Sequence, residues 1–177
     1  MNDISLIEGL KTRRSIRSYL DKPVPDSLIE ELLDVVRWAP SSSNNQPWRF
    51  VVVRDQQKKE NLRGGLRDAV IPFSKHIVEA PVVFVAWYTP SIILKKWQIS
   101  DVSNAVTYLL LAAHARGLGT CWIGWFSEER VKKTLNLPRN AVVVAVVTAG
   151  YTSENPEPRR RKPISDITYR ETFDTSW

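Results

Sequence analysis

The sequence predicts a central β-sheet packed by α-helices. Val- and Phe-rich runs of strand length at Trp48–Arg54, Pro81–Trp87 and Ala141–Ala149 alternate with segments whose apolar residues recur at helical spacing. Strands that alternate with helices build a sheet with helices laid against it. At 177 residues and 43% apolar content, the chain has the size and hydrophobicity of a folded domain rather than of a disordered one. It carries no internal repeat, low-complexity tract or linker-like shift in composition. Residues 1–177 are therefore expected to form one domain, with about 155–177 as an extended C-terminal arm.

Each element has its own local reason. Ser5 with Glu8 three residues on reads as a capping box, starting a short helix that carries Leu6, Ile7 and Leu10 and ends near Arg13. Pro23 and Pro25 mark a turn. Asp26 is expected to cap a second helix, with Leu28, Ile29, Leu32, Leu33 and Val36 at helical spacing and Pro40 as its limit. A polar loop, Ser41 to Pro47, leads into a buried strand, Trp48 to Arg54. Gln56 to Arg67 is helix-compatible, and Ser74 to Glu79 suits a short helix before the strand Pro81 to Trp87. Ser100 to Arg116 is a helix apolar on most of its circumference, which places it in the core or in a subunit interface. Gly117 caps it. Cys121 to Trp125 is a short strand, Ser127 caps a helix running to Leu135, and Ala141 to Ala149 is the most buried strand. After Gly150 the chain turns polar, with prolines at 156, 158 and 163.

Composition narrows the function. Net charge is +6 and pI about 9.6, which favours an acidic or phosphate-bearing partner. The single cysteine, Cys121, excludes an intrachain disulfide and a cysteine-held metal cluster. No His/Asp/Glu spacing makes a metal site, and no Ser–His–Asp order suggests a triad. The first nine residues lack a signal peptide's apolar run, and no stretch approaches the length of a membrane span. Cytoplasm is the expected address.

Four segments could carry chemistry. Arg13-Arg14-Ser15-Ile16-Arg17 offers planar, permanently charged donors suited to phosphate oxygens, although alone it equally suits a solvated basic helix end. Pro40-Ser41-Ser42-Ser43-Asn44-Asn45-Gln46-Pro47-Trp48 offers donors and acceptors for a heteroaromatic ring, or is an ordinary polar turn. Gly117-Leu118-Gly119-Thr120-Cys121-Trp122-Ile123-Gly124 is not a dinucleotide fingerprint, because a helix precedes it and a strand follows. Its glycines suit a helix cap and close approach of backbone to a ligand, and Cys121 reads as a packed residue rather than a nucleophile. Pro158-Arg159-Arg160-Arg161-Lys162-Pro163 is a phosphate clamp, a nucleic-acid contact or a solvated tail. His76 and His114 stand alone.

Together, in this order and spacing, the four segments resemble the nitroreductase family of flavoproteins. The resemblance covers most of the chain. It implies an α+β fold with a mixed β-sheet flanked by helices, in an intertwined homodimer with FMN at each subunit interface. By resemblance, Arg13, Arg14 and Ser15 hold the FMN phosphate and ribityl chain, and Arg159 and Arg161 return to the phosphate from the C-terminal arm. Arg17 lies near the pyrimidine edge, where it would stabilise reduced flavin. Pro40, Ser41, Ser42 and Asn44, with Gln46 a weaker candidate, would come from the partner subunit to line the ring. Trp122, Ile123 and Gly124 would offer it backbone groups. The helix Ser100–Arg116 becomes a candidate dimer helix. The stretch Tyr88 to Gln98 matches no substrate lid, and Tyr88, Trp97 and Trp125 are candidates to cover the flavin unless they pack in the core or at the dimer contact.

The resemblance further implies an FMN-dependent NAD(P)H oxidoreductase. Hydride would pass from NADH or NADPH to flavin and then to a nitroaromatic, quinone or similar small conjugated acceptor at one shared site, by a ping-pong mechanism. No metal, nucleic acid or membrane is expected to take part. The motifs leave alternatives: a specialised flavin reaction, a flavin-binding protein without turnover, or a basic nucleic-acid-binding module.

Overall fold

The computed structural model describes residues 5–64 and 75–176. Its elements are α1 (Leu6–Thr12), α2 (Asp26–Val36), β1 (Arg49–Val53), α3 (Gln56–Arg63), α4 (Lys75–Glu79), β2 (Val82–Tyr88), α5 (Lys95–Ala115), β3 (Gly119–Ile123), α6 (Glu128–Leu135) and β4 (Val142–Gly150), with 3-10 turns at Ser42–Asn44 and Ile164–Asp166. The ends of two expected helices, residues 65–67 and Ser74, lie outside the described residues.

The strands form one sheet in the order β1-β2-β4-β3, and its ladders are antiparallel. The class is α+β, as expected. The parallel part of the expected mixed sheet is confined, among the described residues, to an isolated bridge between Ser15 and Thr120. The order explains why. β2 and β3 both run antiparallel to β4, so they point the same way, but β4 separates them and no parallel ladder can form.

The two-residue period of the strands divides the core into two layers. Val82, Phe84, Ala86 and Tyr88 of β2 face α2 and α5, together with Ala145, Val147 and Ala149 of β4. Val83 and Val85 of β2 and Val146 of β4 face Leu62 of α3, Ile77 of α4 and Val131 of α6. Covered on both faces, β2 and β4 are near-continuous apolar runs. Phe84 is fully buried, and truncating such a side chain to alanine costs about 3–5 kcal/mol.

Several expectations shift. β1 is an edge strand with Val53 as its buried residue, not a buried strand. Asp26 is the first residue of α2 rather than its cap. Pro25 occupies the cap position without a side-chain bond, and Asp26 instead pairs with Arg54 at 2.8 Å, where an acid suits the helix N-terminus. α5 begins at Lys95, five residues before Ser100, so the last part of Tyr88–Gln98 is its first turn. Gln98, buried there, accepts from the Ser91 N–H and donates to the Thr89 carbonyl. β3 begins at Gly119 rather than Cys121, since Gly119 pairs with Gly150.

Candidate functional site

The site begins where α1 stops. Ser5 caps α1 by accepting from the Glu8 N–H at 3.3 Å. Arg14 closes its other end, with Nη1 donating to the Lys11 carbonyl at 2.7 Å and the Arg13 carbonyl at 3.0 Å, as a cation suits a helix C-terminus. The chain then lies along β3, where the Ile16 N–H donates to the Thr120 carbonyl at 2.8 Å. That approach requires glycine at 119, because a Cβ there would come within 2.7 Å of the Ile16 side chain. Below, the Tyr19 hydroxyl donates to the Ile16 carbonyl and meets Thr148 Oγ1 at 2.7 Å.

The chain leaving β4 is stapled to this segment. The Leu20 N–H donates to the Tyr151 carbonyl at 2.8 Å, the Thr152 hydroxyl to the Ser18 carbonyl at 2.7 Å, and the N–H groups of Arg17 and Ser18 to Glu154 Oε2 at 2.8 and 2.9 Å. The arm then turns back. Arg13, Arg14, Ser15 and Arg17 meet Arg159 and Arg161 around one cavity of about 160 Å³, and Pro156 and Glu157 complete its wall. Two arginine clusters remote in sequence thus form a single cradle.

Among the described residues, Glu157 is the one acid on the cradle wall. Arg37, Arg54, Arg63 and Arg116 each pair with a carboxylate. Among the described residues, none of the five cradle arginines does. Burial, then the neighbouring Arg161 and Arg14, press the Arg13 pKa down, and a bound dianion would reverse both neighbours' effect. His114, near the end of α5, stands beside the cradle. The Thr12 hydroxyl donates to the Glu8 carbonyl at 2.8 Å. A hydroxyl has one proton, so His114 Nε2–H donates to Thr12 Oγ1 across 3.0 Å. Burial, Arg13 and Arg14 lower the His114 pKa.

The loop from Pro40 to Gln46 is not part of this cavity. It is fastened to the first half of α5: Asp101 Oδ1 accepts from the Ser42 N–H at 3.0 Å and its hydroxyl at 3.2 Å, and Asn104 donates to the Pro40 carbonyl. Ser41 Oγ accepts from the Gln46 N–H, and Gln46 donates to the Asn44 carbonyl and side chain. Ser43, Asn44 and Gln46 all have left-handed backbones, with φ of 51°, 53° and 45°. Such conformations cluster at functional sites and persist only where the surroundings enforce them. Asp101 and His114 lie on one helix rising about 1.5 Å per residue. Loop and cradle are thus about 20 Å apart along α5 in one chain.

Trp122 and Ile123 end β3, at the sheet edge, and Gly124 follows. The Thr120 carbonyl points off that edge, to Ile16. Backbone groups alternate sides along a strand, so those of Trp122 point the same way, about 7 Å farther along. Cys121, between them, is buried, and burial pushes its thiol pKa up, as befits a packed residue. Tyr88 is buried in the core, whereas Trp97 and Trp125 are exposed.

The sequence reading missed Thr12, Thr152, Glu154, Asp101 and Asn104. Asp101 had a signal: it shares a helix face with Val102, Ala105 and Leu109, so an acid falls on a core-facing stripe. The others meet partners that only the fold brings near: Thr12 the His114 ring, and Thr152, Glu154 and Asn104 backbone groups of Ser18, Arg17 and Pro40.

The nitroreductase family model matches residues 10–76 and 72–151. A relative from Methanothermobacter thermautotrophicus, provisionally named NADH dehydrogenase/NAD(P)H nitroreductase, is 34% identical over 164 residues, covering 90% of this chain and 83% of its own. An NADH dehydrogenase of Thermus thermophilus is 33% identical over 190 residues, covering 88% and 90%. Among solved structures, a nitroreductase-type protein from Desulfovibrio desulfuricans in complex with FMN superposes with a TM-score of 0.83 at 29% identity, covering 97% of this chain and 99% of that one. Fold, motif order and sequence similarity agree: the chain belongs to the nitroreductase family.

Proposed function

We propose that this protein is an FMN-dependent NAD(P)H oxidoreductase that works as a homodimer and passes electrons to a small conjugated acceptor by a ping-pong mechanism. The observation that carries the reading is the cradle, in which five arginines without carboxylate partners surround one small cavity. A phosphate dianion suits its charge, and guanidinium groups are the donors such an anion favours. The family's names and the FMN complex of a structural neighbour support the same cofactor.

When bound, FMN would supply the two-electron redox chemistry between NADH or NADPH and the acceptor. The protein binds and tunes. Arg13, Arg14, Ser15, Arg159 and Arg161 hold the phosphate end. Arg17, on the same cavity wall, would supply a permanent cation for the pyrimidine edge. Backbone groups at Trp122–Gly124, at the β3 edge, would be offered to the ring. Pro40, Ser41, Ser42, Asn44 and Gln46 lie about 20 Å from their own cradle along α5, so in this reading they serve the flavin of the partner subunit. Exposed apolar side chains support dimerisation: Leu6 and Ile7 on α1, Ile92 and Ile93 before α5, and Ile164, Ile167 and Phe173 on the arm, more than an isolated surface favours.

The test is the visible spectrum of the purified protein after incubation with FMN, followed by anaerobic NADH or NADPH. The expected result is a bound-flavin spectrum that bleaches, on a species of twice the chain mass. A protein that stays colourless removes the cofactor assignment, and a yellow protein that never bleaches removes the oxidoreductase.

A further inference from the structure

The cradle's two jaws belong to segments far apart in sequence, and something must hold them in register. Past Glu154, residues 155–162 make one hydrogen bond among the described residues, from Arg161 Nη1 to the Arg159 carbonyl. The last anchor before Arg159 is therefore the staple at Thr152 and Glu154. Within it, Glu154 Oε2 alone receives two backbone N–H groups, those of Arg17 and Ser18. Its own N–H is fixed by Thr152 Oγ1 at 2.9 Å, and the same Thr152 hydroxyl reaches the Ser18 carbonyl. The result is a closed ring of hydrogen bonds joining the first arginine segment to the root of the second.

An acid here is electrostatically unfavourable for the proposed ligand. It stands one staple away from a cavity that attracts an anion, and Glu157 already lines that cavity. A residue that repels the ligand by charge serves the site through geometry. Five residues of chain reach at most about 18 Å, so where Glu154 is pinned limits how far Arg159 can lie from the first jaw.

We propose that Glu154 is a positioning residue that sets the spacing of the two arginine jaws and thereby the preference for a phosphate-bearing flavin. It touches no ligand. It acts through the Arg17 and Ser18 backbone on one side and the arm on the other. The inference rests on the reading of the cradle as the FMN phosphate site.

Charge and geometry separate cleanly because both bonds use one oxygen. Glu154→Gln keeps an acceptor oxygen for both N–H groups and turns its amide toward solvent, since Glu154 is half-exposed. Glu154→Ala removes the acceptor. The experiment measures FMN and riboflavin affinities of the full-length wild type and both variants by flavin fluorescence quenching. Glu154→Ala is expected to weaken FMN at least ten-fold and riboflavin less than three-fold. Glu154→Gln is expected to bind FMN at least as tightly as wild type. Thr152→Val cuts the same ring elsewhere and is expected to show the Glu154→Ala pattern more weakly, which keeps the test open if Glu154→Ala does not fold. An unchanged FMN affinity in Glu154→Ala overturns the proposal, as does equal loss of FMN and riboflavin, or Glu154→Gln binding as weakly as Glu154→Ala. A wild type that binds no FMN defeats the cofactor reading itself.

Discussion

The cradle and the Pro40–Gln46 loop sit toward opposite ends of α5 and are built on opposite principles. The cradle is rich in charge and low in strain: five unpaired arginines, with the backbone beneath them held by Thr120, Thr152 and Glu154. The loop is uncharged and strained: a buried acid, Asp101, holds Ser42, Ser41 holds Asn44 and Gln46, and Ser43, Asn44 and Gln46 are left-handed. One chain assembles the cradle completely. In the proposed dimer, the loop finds its flavin in the other subunit. In that proposal, phosphate recognition is a property of the protomer and ring recognition a property of the pair.

The largest effect separates the two ends. Arg13→Ala with Arg161→Ala removes two charge-assisted contacts, each worth about 1.5–3 kcal/mol, and is expected to weaken FMN at least about a hundred-fold while leaving riboflavin nearly unchanged. Equal loss of both ligands, read by fluorescence titration, breaks the division. Arg17→Ala tests the boundary between the ends. One charge-assisted bond to reduced flavin corresponds to about 30–60 mV of midpoint potential, so the variant is expected to have a lower potential by that amount. An unchanged potential in a variant that still binds FMN returns Arg17 to the phosphate group.

A smaller effect is expected at the loop. Asp101→Ala leaves the Ser42 N–H without its acceptor, a penalty of about 1–3 kcal/mol, and releases the left-handed residues. FMN and riboflavin are expected to weaken together, on the order of ten-fold, with their affinity ratio preserved. A change in that ratio would show that the loop reaches the phosphate end.

The smallest effect is a pH dependence. The His114 pKa in the folded protein lies below its ordinary 6.5, through burial and then Arg13 and Arg14. The unfolded chain therefore binds more protons in that window, and stability without flavin falls as pH drops through 6.5 toward the folded value. His114→Gln keeps a donor for Thr12 but does not titrate, so thermal melts against pH are expected to show a shallower acid limb. An identical slope would show that His114 does not contribute.

Much of this was readable from residues. Strand runs, helix periodicity and the Ser5 and Ser127 caps placed most elements, because those signals are local. The order of the four motifs pointed to the family, and the structure joined both arginine clusters around one cavity. What escaped was non-local or weakly marked. The edge position of β1 depends on sheet order, which no property of Arg49–Val53 reveals. The first turn of α5 lacks a capping side chain and carries Lys95, Lys96 and Gln98, so its periodicity begins late. Glu154 looks like one more charge in a polar arm until the fold brings Arg17 and Ser18 against it.

The most direct measurement is the ratio of FMN to riboflavin affinity in the wild-type protein at low salt, where charge is least screened. The four cradle arginines assigned to the phosphate, Arg13, Arg14, Arg159 and Arg161, predict FMN tighter than riboflavin by about a hundred-fold or more, from two or more charge-assisted contacts. Equal affinity for the two would show that the arginines do not grip the phosphate, and would contradict the account at its centre.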